Sequence, residues 1–313
     1  MSTPIKSAKL GFFLSLFTAF IWGNVPIAIK EIMQSLDAPT LVWYRFVISL
    51  AILWPILAIK KSLPIQTIAK NPKSLLLLSV LTLGIIGNFV LFSASLSYTT
   101  PTVSQIVMQL SSVGLLFAGV IFFKERLSIV QMIGVSILIS GLLLFFNRNL
   151  LEMISSFNAY AFGVILAALS AFSWVLFAMA QKVALKQFNS LQILFILNAL
   201  GILFLMPCAD FSAIFNLSTL QLCLLLYCGL NTVLGYGALA EAMRYWDVSK
   251  VSTIITLTPL FTLCFSELFA TLWPNIFAHP NLNLLGYIGV FVVVFGAMFM
   301  VIGESMLKVL KRV

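Results

Sequence analysis

Three ionisable side chains, Arg45, Glu241 and Glu267, fall inside long apolar runs of this chain. A charge there is expensive unless it pairs, meets water or binds something. Arg45 presents a fork of N–H donors that can hold a carboxylate through two bonds. A solute carboxylate and the side chain of Glu267 are its two candidate partners. Proton transfer needs a carboxylate that burial can keep protonated, and Glu267, the most deeply placed, comes ahead of Glu241. Lys30 and Lys182 stand at the ends of apolar runs, where a long side chain is expected to snorkel toward the interface.

Polar residues recur along single helix faces in four of the runs. Asn88, Phe92, Ser95 and Thr99 form the first stripe. Gln105, Gln109 and Ser112 form the second, with Ser104, Met108 and Ser111 beside them. Ser170, Trp174 and Gln181 form the third, and Ser252, Thr256, Pro259 and Ser266 the fourth. Ser, Thr and Gln also serve as interhelical glue, so each residue alone has a structural reading. Four stripes that mix aromatics with amides favour a lined cavity. Trp22 and Trp174 lie mid-run, too deep for interfacial anchors, and read as pocket walls or as core packing. The candidate solute contacts are therefore Trp22, Arg45, Asn88, Phe92, Gln105, Met108, Gln109, Trp174, Gln181, Ser252 and Thr256.

Enzymatic and nucleotide chemistry find no support. The single histidine, His279, lies between apolar runs, and no H-E-x-x-H, G-x-S-x-G or P-loop pattern occurs. Cys208, Cys223, Cys228 and Cys264 lack C-x-x-C spacing and are expected as buried free thiols. No metal or cofactor is implied. Pro26, Pro55, Pro207 and Pro259 each remove a backbone donor within or near the end of a run, as hinges or as plain kinks.

The elements that must position these residues follow from composition. Of 313 residues, 61% are apolar and 9% charged, and Phe occurs 28 times. A soluble domain is about a quarter charged, so a soluble enzyme and a disordered chain are both excluded. A helix needs roughly 20 apolar residues to cross a bilayer. Such runs fall at 10–32, 39–59, 74–97, 102–123 and 129–147, then at 158–180, 189–209, 217–241, 249–271 and 283–303. The fold class is thus all-α membrane protein with ten transmembrane helices.

Lys and Arg then orient the chain. With the N-terminus inside, the inner segments hold fifteen of the 18, among them Lys6, Lys60, Lys61, Lys124, Arg126, Arg244, Lys250 and Arg312; the outer segments hold only Lys30 and Arg148. Both termini are expected in the cytoplasm. The net charge of +9 reports membrane orientation, and no nucleic-acid partner is implied.

The two halves resemble each other. A shift of 152 residues aligns Ala19, Phe20, Trp22, Ala28, Lys30, Leu53 and Pro55 with Ala171, Phe172, Trp174, Ala180, Lys182, Leu205 and Pro207. Ile133-Gly134-Val135 with Gly141 recurs as Ile288-Gly289-Val290 with Gly296. Glycines seven apart share a helix face and admit a close neighbour, either within one chain or in a dimer, so a monomer and a homodimer both stand. Five runs per half, an odd number, force opposite topologies. The division is expected at 1–149 and 150–313, as two inverted repeats with a site between them.

These features carry a family resemblance. The openings Ala19 to Trp22 and Ala171 to Trp174, the run Trp43-Tyr44-Arg45-Phe46, Lys124-Glu125-Arg126-Leu127 and Thr258-Pro259-Leu260-Phe261 resemble the EamA-type drug/metabolite transporter superfamily over nearly the whole chain. The second half departs from it at Trp273-Pro274-Asn275, where a Glu-Arg-Leu element would be expected. The resemblance implies a ten-helix secondary carrier in the bilayer of a bacterial inner membrane. Its expected partner is a small-molecule substrate, an exported amino acid or related metabolite.

Overall fold

The computed structural model describes residues 8–64, 73–124, 127–148, 150, 153 and 158–310. Lys6, Glu125, Arg126 and Arg312, used above for orientation and motif, lie outside the described residues. In chain order the helices are α1 (Ala8–Ile32), α2 (Ala38–Ile59), α3 (Lys73–Tyr98), α4 (Pro101–Val107), α5 (Leu110–Phe123) and α6 (Ile129–Phe145). They continue as α7 (Ala159–Ala184), α8 (Ser190–Leu205), α9 (Thr219–Tyr245), α10 (Val248–Ile255), α11 (Thr258–Leu272) and α12 (Leu284–Leu310). Among the described residues nine helical stretches are long and apolar enough to span a membrane, with α4–α5 and α10–α11 each counted as one. The seventeen residues of α6 supply the tenth; at 1.5 Å per residue they reach about 25 Å, enough for one short crossing.

Local chemistry starts these helices where the polar separators stand. Asp37 accepts from Thr40 N at 2.8 Å, and Asn158 does the same for Ala161 N at 2.8 Å. Reciprocal capping boxes open α6 (Ser128 with Gln131), α8 (Asn189 with Gln192) and α9 (Ser218 with Gln221). A buried helix end with unpaired N–H groups would be costly in lipid, so caps beside apolar runs are what membrane helices require. The outer surface is apolar in turn: Leu76 is 73% exposed, Ile121 68% and Ile129 77%. Hydrocarbon is the solvent that such a surface fits.

Packing follows the repeat. α3 lies along α7, and its counterpart pair, α9 and α1, lies together as well. α2 pairs with α8, and α6 with α12, each being its own counterpart. The α6–α12 contact is made backbone to backbone. A Cβ placed on Gly141 would fall 2.5 Å from Val293 N, and one on Gly296 2.5 Å from Leu138 N. The repeated glycines therefore face each other within one chain.

Three expectations need correction. The fourth and ninth runs are not continuous helices: they break at Met108-Gln109 and at Thr256-Leu257. Cys228 alone is buried; Cys208, Cys223 and Cys264 are exposed on the outer surface, since a thiol is apolar enough to face lipid. Lys30 does not snorkel. Its Nζ donates to Leu96 O and, at 3.0 Å, to Thr99 O, where the last carbonyls of α3 lack helical donors and attract a cation.

Candidate functional site

The two helix breaks meet. Around Met108 the backbone tightens: Gln109 N donates to Ile106 O at 3.1 Å and Ser111 N to Met108 O at 3.0 Å. The Ser111 hydroxyl adds a second bond to Met108 O at 2.7 Å. The α10–α11 junction does the same, with Leu257 N donating to Ile254 O at 3.1 Å and Leu260 N to Leu257 O at 2.9 Å. Pro259 has no N–H for Ile255 O, and the Thr258 hydroxyl takes its place at 2.6 Å. Because Leu260 N turns to Leu257 O, Thr256 O loses its helical donor. Gln109 Nε2, reaching across from the other break, donates to it at 3.3 Å.

An aromatic cluster lies at the same depth. Trp22 is the fifteenth residue of α1 and Trp174 the sixteenth of α7; their rings meet edge to face at 6.4 Å. Tyr236 of α9 touches both, at 5.2 and 6.4 Å. Gly235 makes room, since a Cβ there would fall on the Trp22 indole nitrogen. Neither indole N–H nor the Tyr236 hydroxyl has a hydrogen-bond partner among the described residues, and all three side chains are half-buried. Phe92, on α3, is likewise half-buried.

Other polar groups are spent on holding helices together. Asn88 Nδ2 donates to Ser170 Oγ at 2.9 Å and Ser170 O at 3.0 Å, and touches Met108 Sδ at 3.8 Å. Those contacts join α3, α7 and the break between α4 and α5. On the opposite side, Asn231 Nδ2 donates to Ile21 O at 2.9 Å, and Tyr227 OH to the same carbonyl at 3.1 Å. Tyr227 also meets Asn24, so α1 is tied to α9 in mid-membrane. Gln105 on α4, Gln181 near the end of α7 and Ser252 on α10 are half-buried, and no side-chain partner holds them among the described residues.

Arg45 is the only buried charged side chain among the described residues, at 5% exposure. Its guanidinium lies over the Phe89 ring, 4.4 Å from the centroid, and Nη2 donates to Thr232 Oγ1 at 3.3 Å. Nε has no acceptor. Thr232 is the midpoint residue of α9, so this charge lies level with the middle of that helix. The expected alternative partner, Glu267, is elsewhere. Its carboxylate accepts from Tyr287 OH and lies 2.9 Å from His279 Nδ1, at the far end of α11. Glu241 pairs with Arg244 at 3.3 Å, both side chains well exposed. Neither carboxylate is brought to the centre.

The two ends of the bundle differ. At the end carrying Lys30, α1 packs against α3 and α4, and α4 packs against α11. The repeat relates these to α7 with α9, α7 with α10, and α5 with α10 at the other end. None of those three forms a packed pair among the described residues. One end is closed over the centre and the other is parted. A separate groove lined by Met132, Ser136, Ser140 and Val292 lies on the outside of α6; its two hydroxyls are used by their own helix.

Tyr227, Cys228, Asn231, Thr232 and Tyr236 are central, and the stripes read from the sequence omit them. The signal was available. Tyr227 and Asn231 are four apart, as are Cys228, Thr232 and Tyr236, the same spacing that marked α3.

Comparison with known proteins agrees with this architecture. The sequence profile of the EamA-like transporter family matches residues 9–147 and 161–302. The chain is 48% identical over 299 residues to the uncharacterized inner membrane transporter YhbE of Escherichia coli K12, spanning 96% of this chain and 93% of that protein. It is 46% identical over 298 residues to an uncharacterized transporter of Haemophilus influenzae, spanning 95% and 96%. A solved crystal structure superposes with a TM-score of 0.61 at 14% identity, covering 94% of this chain and 96% of the other.

Proposed function

The chain belongs to the EamA-like transporter family, and from that premise we propose a secondary carrier that exports small amphipathic metabolites, amino acids or related compounds, by alternating access across an inner membrane. The observation that carries the reading is the junction of two broken helices, Gln109 to Thr256 O at 3.3 Å, under one closed and one parted end. Breaks at a repeat interface expose backbone groups to a solute and serve as hinges. The proposed repeats are 1–149 and 150–313, rocking about this junction. The lysine and arginine asymmetry supports cytoplasmic termini, so the closed end is periplasmic and the parted end faces the cytoplasm. A cytoplasm-facing opening is the state that loads an exported solute. Trp22, Trp174, Phe92 and Tyr236 are the proposed walls for its apolar part, with Gln105 at the closed side and Gln181 and Ser252 toward the mouth. Glu267, tied to His279 and Tyr287, is the proposed proton-responsive group ahead of the exposed Glu241. The relatives named as inner membrane transporters support the location. One chain is the working unit in this scheme, as α6 and α12 already bury their glycine faces on each other.

Counterflow in proteoliposomes tests the reading. Purified protein loaded with unlabelled amino acids should accelerate entry of a labelled one several-fold over empty liposomes. Absence of flux for every member of a broad panel of amino acids, organic acids and amines would sink it.

A further inference from the structure

Among the described residues Arg45 has no counter-ion, and the shortage is specific. Six carboxylates have described side chains, and each is engaged away from Arg45. Glu31 accepts from Gln34, Asp37 from Thr40 N and Asp210 from Ser212. Glu241 pairs with Arg244, Asp247 with Lys250 and Glu267 with His279. None of them lies within ion-pair distance of Arg45. A buried, uncompensated charge is among the costliest things a protein can hold. Among the described residues only a face of Phe89 and one hydroxyl answer it. The hydroxyl is itself committed, since Thr232 Oγ1 donates to Cys228 O at 3.0 Å.

The surroundings say what would complete the site. Cys228 and Tyr236 stand one helical turn before and after Thr232 on α9, and Tyr236 OH has no hydrogen-bond partner among the described residues. Tyr236, one turn along α9 from the Thr232 that Arg45 holds, touches both rings of the Trp22–Trp174 pair, which offer apolar surface on that side. The centre thus holds one positive charge, spare N–H and O–H donors, and aromatic walls. None of the six described carboxylates is there to receive an ammonium group. A planar carboxylate matches the guanidinium fork, and one negative charge neutralises one positive charge. A zwitterion brings no net charge to the site, and a dianion overshoots.

We infer that, in the carrier proposed above, Arg45 binds the carboxylate of the solute. The preferred solutes are organic monocarboxylates with an apolar or aromatic body, favoured over the zwitterionic amino acid of the same skeleton. The inference rests on the carrier reading for its physiological sense, but binding tests it independently.

Equilibrium binding to the purified full chain in nanodiscs provides the test. The probes are labelled 3-phenylpropanoate, its neutral amide, phenylalanine, and a panel of aliphatic and hydroxy monocarboxylates. Saturable binding of at least one acid is expected, with its amide weaker by about tenfold or more, the loss of one charge-assisted contact. Phenylalanine should fall between 3-phenylpropanoate and its amide. R45Q should remove the acid's advantage over the amide, and R45K should keep part of it. If R45Q does not fold, the acid and amide comparison on the unaltered protein still decides. The inference fails if no acid binds, if amide and acid bind alike, if R45Q keeps the preference, or if chloride or inorganic phosphate displaces the acid at equal concentration. The last outcome would make Arg45 a general anion hole. Flux of neutral or cationic solutes alone would preserve the carrier and overturn this inference. Acid binding without any flux would do the reverse.

Discussion

The α6–α12 pair and the α4–α5 and α10–α11 helices occupy the same membrane, yet they are built on opposite principles. In α6–α12, repeated glycines bring two regular helices into backbone contact, with Gly141 against Val293 and Gly296 against Leu138. In the other pair, regularity is given up at the middle of both helices. Side-chain hydroxyls and one glutamine then repair the lost backbone bonds. Close-packed surfaces resist small displacements, whereas junctions held by a few exchangeable hydrogen bonds do not. In the proposed carrier the first region is the fixed frame and the second the moving parts.

Substitutions should separate the two. The largest effect is expected in the frame. Gly141→Val drives a Cβ into the backbone of α12 and should cost about 3 kcal/mol, read as lost monodisperse yield and a lower Tm by size-exclusion thermal assay. An unchanged Tm would mean that the frame is loose. Next comes the junction. Gln109→Leu strips Thr256 O of its donor, a penalty of about 2 kcal/mol, and should slow counterflow by more than tenfold while yield stays normal. Equal loss of yield and flux would merge the two regions into one.

Smaller effects should follow at the edges. Tyr227→Phe removes one donor from the α1–α9 tie, but Asn231 still satisfies Ile21 O. It should cost about 1 kcal/mol, a modest fall in Tm. Lys30→Met uncaps the end of α3 for about 0.5 kcal/mol. It should leave Tm nearly unchanged and shift the population toward opening of the closed end, read as faster alkylation of a cysteine placed at Thr102. Slower alkylation would contradict the expectation that the Lys30 contacts help to hold that end closed.

Much of this molecule was legible in its residues. The crossings were, because twenty-residue apolar runs and polar separators are strong signals, and the helix ends fall within a few residues of them except that α12 runs on to Leu310. The repeat was also visible, through Trp22 with Trp174 and the paired glycines. The breaks were not. Thr258-Pro259 hints at the second, but Ser104 to Ser112 contains no proline, and its break rests on a Ser111 hydroxyl bond that spacing alone does not announce. Arg45 was identified as intramembrane, but its surroundings depend on Thr232 of α9, 187 positions away. Sequence suggested Glu267 as a partner from approximate depth alone. Depth does not reveal which side of a helix faces which neighbour, and Glu267 turns toward α12.

The central claim is that the two ends exchange roles about the Gln109–Thr256 junction. Spin labels in a background with the four native cysteines replaced test it directly. One pair would sit at Lys124 and Lys250 on the parted end, the other at Thr100 and Trp273 on the closed end. Pulsed electron–electron resonance in nanodiscs, with and without a transported solute, should show the two distances moving in opposite directions, one shortening as the other lengthens. Two distances that stay fixed, or that change together, would contradict the account.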